Sequence, residues 1–437
     1  SIKRRSNVTG LFESTWQDIS RHIKKWGKIK YEIDATGLHR FRFANNQIVV
    51  DNSEGLFNPE DDDASLWYQN GVQQRSLLKL ESGFVAQTLG ADGIWDNTEF
   101  PLNANWDTVN WDEANWDGVN TIFTGMIYGD INLSDNNEVA LKIAPLTQIF
   151  RDYAATNLSG LGSLTAEQFM QKVRDHTDGS GNLIFRPFFS DTTTNWNIAS
   201  TTNNYILTAG SEALRDQTVW DVMERLAEAE NKTVFVDKDG VFNFSSRDVA
   251  TTVVSYEFYG VGSHNTQYGH TIKEIRSYGQ AISKLYNRVE IKYSEADTLT
   301  SLQVRESTLA VSSDNIPWLF GQKTLQIENV WINTATANSI ADSLFNEFSS
   351  LKKEISFIAS FVPHLTIRDR LSITYDSSPF RNESLWDRNY WGTASSNALI
   401  WDASKGDAIR LLNKEMKIIS IEHDLDRFET NIAAREA

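Results

Sequence analysis

The sequence predicts a mainly β protein with an α+β middle, and three observations carry that expectation. Short β-branched and aromatic runs separated by turn residues fill the first third, an amphipathic helix running into a hairpin occupies the middle, and alternating strands return from about Leu285. With 437 residues there is chain enough for more than one domain and for cores that need no covalent staples.

The elements follow in order. Residues 28–33 and 41–50 read as strands, and the second leads into Asp51-Asn52-Ser53-Glu54-Gly55, a strong turn signal. Residues 77–80, 121–128 and 139–143 continue the β character. Residues 165–173 predict a short helix capped by Thr165, and the Thr- and Asn-rich stretch 191–204 reads as a loop. The best-specified stretch is 217–244. There Val219, Val222, Met223, Leu226 and Ala227 recur at helical spacing between Asp221, Glu224, Arg225 and Glu228, so one face is apolar and the other wet. After Asn231 the pattern becomes a hairpin around Asp237-Lys238-Asp239-Gly240, whose glycine supplies the positive φ of a tight turn. Strands return as YNRVEIKY, SLQVRES and LQIENVWI, then ISFIASFV, RLSITYD and MKIISIEHDL; between the two groups Ile340, Leu344, Phe345 and Phe348 form one apolar helix face within 336–350. The boundaries expected are 1–145 for a first β domain, 146–284 for an α+β connector and 285–437 for a second β domain.

Composition removes several function classes. Cysteine is absent, which excludes disulfides, thiolate catalysis and cysteine-ligated metals. A net charge of −17 and a pI near 4.9 argue against a surface that grips nucleic-acid phosphate or anionic lipid. No apolar run approaches the roughly 20 residues that span a bilayer, and the opening SIKRRSNVTG lacks the apolar core of a signal peptide. The expectation is a soluble chain made in the cytoplasm, with no membrane-spanning segment. The basic cluster Lys24, Lys25, Lys28 and Lys30 is read as a solvated face or as the complement of an acidic neighbour.

One local repeat stands apart. Asn-Trp-Asp recurs with a period of five at Trp106-Asp107, Trp111-Asp112 and Trp116-Asp117, inside an insertion at about 91–118. A second Trp-rich loop at about 377–407 carries Trp386, Trp391 and Trp401. Indole faces beside carboxylates and amides suit a glycan or partner contact. The aspartates could also gather a hard cation, although their spacing departs from the Asp-rich calcium loop. In the plainest reading each Trp buries its ring and each Asp or Asn closes a turn.

Catalytic constellations are hard to find. His22, His39, His176, His264, His270, His364 and His423 are scattered without the H-E-x-x-H spacing that sets two imidazoles on one helical face. Neither a G-x-S-x-G elbow nor a phosphate loop occurs. Paired carboxylates about 5–9 Å apart, the requirement of glycoside hydrolysis, stay open in so acidic a chain. Residues 174–179, Arg-Asp-His-Thr-Asp-Gly, read as a polar turn more simply than as a catalytic or ion loop. No catalytic residue, cofactor or metal is expected.

Three stretches together resemble the tail hub, or tail-tip, proteins of tailed bacteriophages and related contractile injection machines. They are IVVDNSEGLFNPEDD followed by SLWYQNGVQQRSLLKLESG, with Phe123-Thr124-Gly125-Met126-Ile127 beyond; QTVWDVMERLAEAENKTVFVDKDGVFNF; and ANSIADSLFNEFSSLKKEISFIASFVPHLTIRDRLSITY with the closing MKIISIEHDLDRFETNIAARE. Each is short on its own, but their order covers most of the chain. The Trp-Asp segments and the 377–407 loop depart from the family pattern. The resemblance implies two β-barrel-like domains of tail-hub type joined by a helix–hairpin module, and a non-enzymatic homotrimeric ring on the distal tail tube. Two similar barrels per subunit would let a threefold ring meet a sixfold tube. The implied partners are the tail tube or distal tail protein, the tape-measure protein and spike or fibre proteins, with DNA passing through the channel during ejection and the protein residing at the virion tail tip. The competing reading is a carbohydrate-binding receptor protein or a carboxylate-pair glycosidase acting on host surface glycans.

Overall fold

A computed structural model describes residues 1–4, 12–33, 41–44, 46–54, 57, 75–82, 120–129, 132–133, 136–189, 193–207, 214–247, 254–260, 272–280, 285–293, 301–306, 321–350, 352–376 and 409–436. Contacts divide the chain into two compact units, one of Ser1–Ser82, Thr121–Val249 and Ala281–Leu351, the other of Gly83–Asn120, Ala250–Gln280 and Lys352–Ala437.

The first unit begins with a sheet in the order Ile2–Lys3, Leu77–Ser82, Asn120–Ile127, Glu138–Pro145, Asn46–Asp51, Ile23–Lys25, and Asn132–Leu133 lies beside Glu138–Pro145. Ile48 opposes Leu141 and Val50 opposes Val139 in antiparallel register, and all four are buried. The two-residue period of the strand puts these side chains on one face, which is why the alternation was visible in sequence. The single strand expected over 41–50 is two. Phe41–Ala44 pairs with Lys28–Ile33, setting Phe43 opposite Tyr31, whereas Asn46–Asp51 pairs with Glu138–Pro145.

Three helices follow: α1 (Gln148–Arg151), α2 (Ala166–Arg174) and α3 (Val219–Ala229). Thr165 caps α2 by accepting from the Gln168 amide at 3.1 Å, and the Gln168 side chain returns a bond to the Thr165 amide. After α3 the hairpin Lys232–Val236 and Phe242–Ser246 forms, with Val234 opposite Phe244. The stretch expected to be a loop holds a third strand of this sheet, Trp196–Ile198, which runs parallel to Phe242–Ser246 and buries Trp196. Three residues paired across a long sequence separation leave almost no local periodicity, so the loop-like composition misled.

The remainder of this unit is a second three-stranded sheet, Ser301–Glu306, Arg288–Tyr293, Thr324–Asn329, followed by α4 (Thr334–Phe348). Val289, Ile291, Leu325 and Ile327 join Ile340, Leu344 and Phe348 of α4 in the core that also holds Phe150 and Trp220. The expected boundary at 284/285 therefore runs through a stretch whose contacts continue into one core. Periodicity shows which helix face is apolar but not which element covers it.

The second unit contains the strand path Val254–Tyr259, Arg370–Asp376, Arg410–Asp424, Glu429–Glu436, Lys353–Ser360, Ile272–Gln280. The first pair is parallel and the others antiparallel. Phe258, Ile355, Phe357, Leu371, Ile373, Ile418, Ile421 and Ile432 are buried within it. Gly260 is required here, because a Cβ at that position would lie 1.9 Å from Cδ2 of Tyr375. Thr430 fixes the loop beyond Lys353–Ser360: its buried hydroxyl accepts from the Val362 amide at 3.0 Å and lies 3.2 Å from Nδ1 of His423. Among the described residues both sheets form open paths.

Candidate functional site: the connector and its docked hairpin

The helix α3 starts with a local signal. The Thr218 side chain accepts from the Asp221 amide at 3.2 Å, while Asp221 Oδ2 accepts from the Thr218 amide at 3.0 Å and from its hydroxyl at 2.7 Å. This reciprocal box satisfies amides that α3 cannot bond internally. The helix then buries Val219, Trp220, Val222, Met223, Leu226 and Ala227. Trp220 donates its indole N–H to Glu224 at 2.7 Å, and Arg151 lies over its ring at 5.7 Å. Phe150 of α1 is the hub of the packing. Its ring lies 5.1 Å from Phe185, 5.8 Å from Phe189, 6.0 Å from Trp196 and Phe242, and 6.1 Å from Trp220.

The hairpin tip is organised by one carboxylate. Asp237 Oδ1 accepts from the amides of Asp239 at 3.1 Å and Val241 at 2.9 Å, and Oδ2 accepts from the Asn243 side chain at 3.1 Å. Burial nevertheless pushes the Asp237 carboxyl above the usual aspartate range, outweighing the bonds that favour its charge. Next to it Lys238 donates to the Thr121 carbonyl at 2.9 Å. Gly240, at φ +82°, sits so close to Thr124 that a Cβ would meet its Cγ2 at 2.9 Å. The tip is thus seated on the strand Asn120–Ile127. Around it, Phe41 stacks on Phe235 at 4.2 Å and Phe43 on Phe123 at 4.6 Å. The Tyr31 hydroxyl donates to the Ile122 carbonyl at 3.2 Å, and burial, then Asp237 and Asp239, raises its pKa.

A second set of bonds fixes α3 from behind. Buried Asn329 donates to the Arg225 carbonyl at 2.8 Å and to Glu228 at 3.3 Å, while its own oxygen accepts from the Trp331 amide at 3.0 Å. Sequence reasoning passed over this residue. Its signal was a polar side chain at the inward position of the run Leu325, Ile327, Asn329. Arg247 is buried and pairs with Glu347 of α4 at 3.2 Å.

The motif turns prove structural. Asp51 accepts from the Ser53 amide at 3.1 Å, and Asn52 accepts from the amide of buried Phe57 at 2.6 Å, which closes the Asp-Asn turn over the first sheet. In 174–179, Arg174 and Asp175 pair at 2.6 Å, which lowers the Asp175 pKa, and Asp178 accepts from the Ser180 and Asn182 amides. His176 is buried against Tyr153, whose hydroxyl lies 2.8 Å from Nε2, and burial lowers its pKa. Of the basic cluster, Lys24 approaches Asp51 at 3.4 Å and Glu138 at 3.5 Å, and Lys30 pairs with Glu32 at 2.6 Å. Among the described residues no group of three His, Asp or Glu could hold a metal, and no helix is long and apolar enough to cross a membrane. Trp106, Asp107, Trp111, Asp112, Trp116, Asp117, Trp386, Trp391 and Trp401 lie outside the described residues.

No protein-family model matches the chain, and no curated protein does. Among solved structures it is similar to a tail protein from Neisseria meningitidis MC58, at 10% identity and TM-score 0.49 over 100% of this chain and 96% of that one. It is similar to the 43 kDa tail protein of prophage MuSo2 from Shewanella oneidensis, at 11% and 0.45 over 99% and 97%. The prophage tail protein gp18 from Listeria monocytogenes EGD-e matches at 8% and 0.46 over 100% and 94%.

Proposed function

We propose that this chain is a non-enzymatic structural subunit of a phage tail tip, three copies of which form a ring on the distal tail tube. The observation that carries the reading is the order of the three tail-hub-like stretches along one chain. Each has a structural job: Asn52 closes the first over Phe57, Thr218 and Asp221 start the second, and the helix and closing strands of the third carry α4 and the hairpin ending at Glu436. The two larger sheets are the nuclei of two β-barrel-like domains of tail-hub type, and the helix–hairpin module of 219–246 belongs to the unit of the first. In this role the ring meets the tube above, binds spike or fibre proteins below, and opens for the tape-measure protein and DNA. The net charge of −17 suits a channel wall that repels phosphate.

Purified full-length protein, weighed intact and imaged by electron microscopy with and without tube subunits, is expected to form three-copy rings with Asp and Glu in excess on the channel wall. A chain that stays monomeric in both settings overturns the ring, and a wall rich in Lys and Arg overturns the charge argument.

The glycan reading rests on the 14 tryptophans of the chain and the Asn-Trp-Asp repeat. Replacing Trp106 and Trp111 together by Ala separates the two: loss of thermal stability or neighbour packing fits the tail role, while an intact fold that no longer binds host glycans fits the other.

A further inference from the structure

We draw no further inference here: the strongest candidate, the hairpin tip between Arg410–Asp424 and Glu429–Glu436 where Phe428 is exposed at positive φ, is an apolar patch with nothing in the structure to show what covers it, since the neighbouring Arg427 already pairs with Asp424.

Discussion

Around Phe150, five aromatic rings lie at centroid distances from 5.1 to 6.1 Å, and the polar groups nearby are buried pairs such as Asn329 with the Arg225 carbonyl. The second unit's sheet is joined differently. Its neighbouring strands carry ion pairs at Arg435–Glu354 (2.8 Å) and Arg370–Glu415 (3.1 Å), besides Lys414–Glu436, and Lys273 reaches Glu429 (3.0 Å) across the intervening strand Lys353–Ser360. Partly exposed pairs of this kind contribute roughly 0–1 kcal/mol each, whereas truncating a buried ring costs several times that. The core around Phe150 and α3 is accordingly the region whose geometry is hardest to alter. The second sheet relies on its inward residues and leaves its outer face and hairpin tip free to change.

Three experiments sharpen that contrast. Trp220→Ala should have the largest effect, a loss of about 3–5 kcal/mol, since it removes the fully buried indole packed against Phe150 and the indole N–H that Glu224 accepts. Denaturant titration followed by fluorescence would measure it, and a loss below about 1 kcal/mol would show that the cluster is not the keystone. Gly260→Ala should cost the second unit about 1–3 kcal/mol, because the added methyl overlaps the Tyr375 ring. Hydrogen exchange should locate the loosening in 254–260 and 370–376 with the connector amides unchanged; equal loosening in both regions would contradict the contrast. The smallest effect is at Asp237. Its pKa is raised in the folded chain, so its contribution to stability is fully present below the unfolded value of 3.8 and is lost as pH rises through the folded value. Relative to the unsubstituted chain, Asp237→Asn should therefore be more stable at pH 7 than at pH 4. Melting curves at the two pH values check this, and an opposite slope would mean that the amide bonds outweigh burial.

How much was legible depended on the range of the interaction. The Thr165 cap, the Gly240 turn and the apolar face of α4 are signals within a few residues, and each appears where the sequence puts it, while the Thr218–Asp221 cap is equally local and was passed over. Trp196–Ile198 was missed because its strand character comes from pairing with residues 242–244. Asn329 was missed because a lone asparagine acquires its meaning from a helix about a hundred residues earlier. Phe428, at φ +52° and exposed, looked ordinary on paper, since neither its backbone conformation nor its exposure follows from its neighbours.

By itself the sequence determined the β-rich class, the connector helix and its hairpin, and the absence of cysteine chemistry, because hydrophobic period, capping and composition are local or global properties of the chain. Only the tertiary structure decided that 41–50 splits between two strand pairings, that α4 shares a core with Phe150 and Trp220, and that Lys238 and Gly240 seat the hairpin on Asn120–Ile127. Those outcomes depend on which apolar surfaces meet, and burial is non-directional: many partners satisfy a given face, and the whole fold selects one.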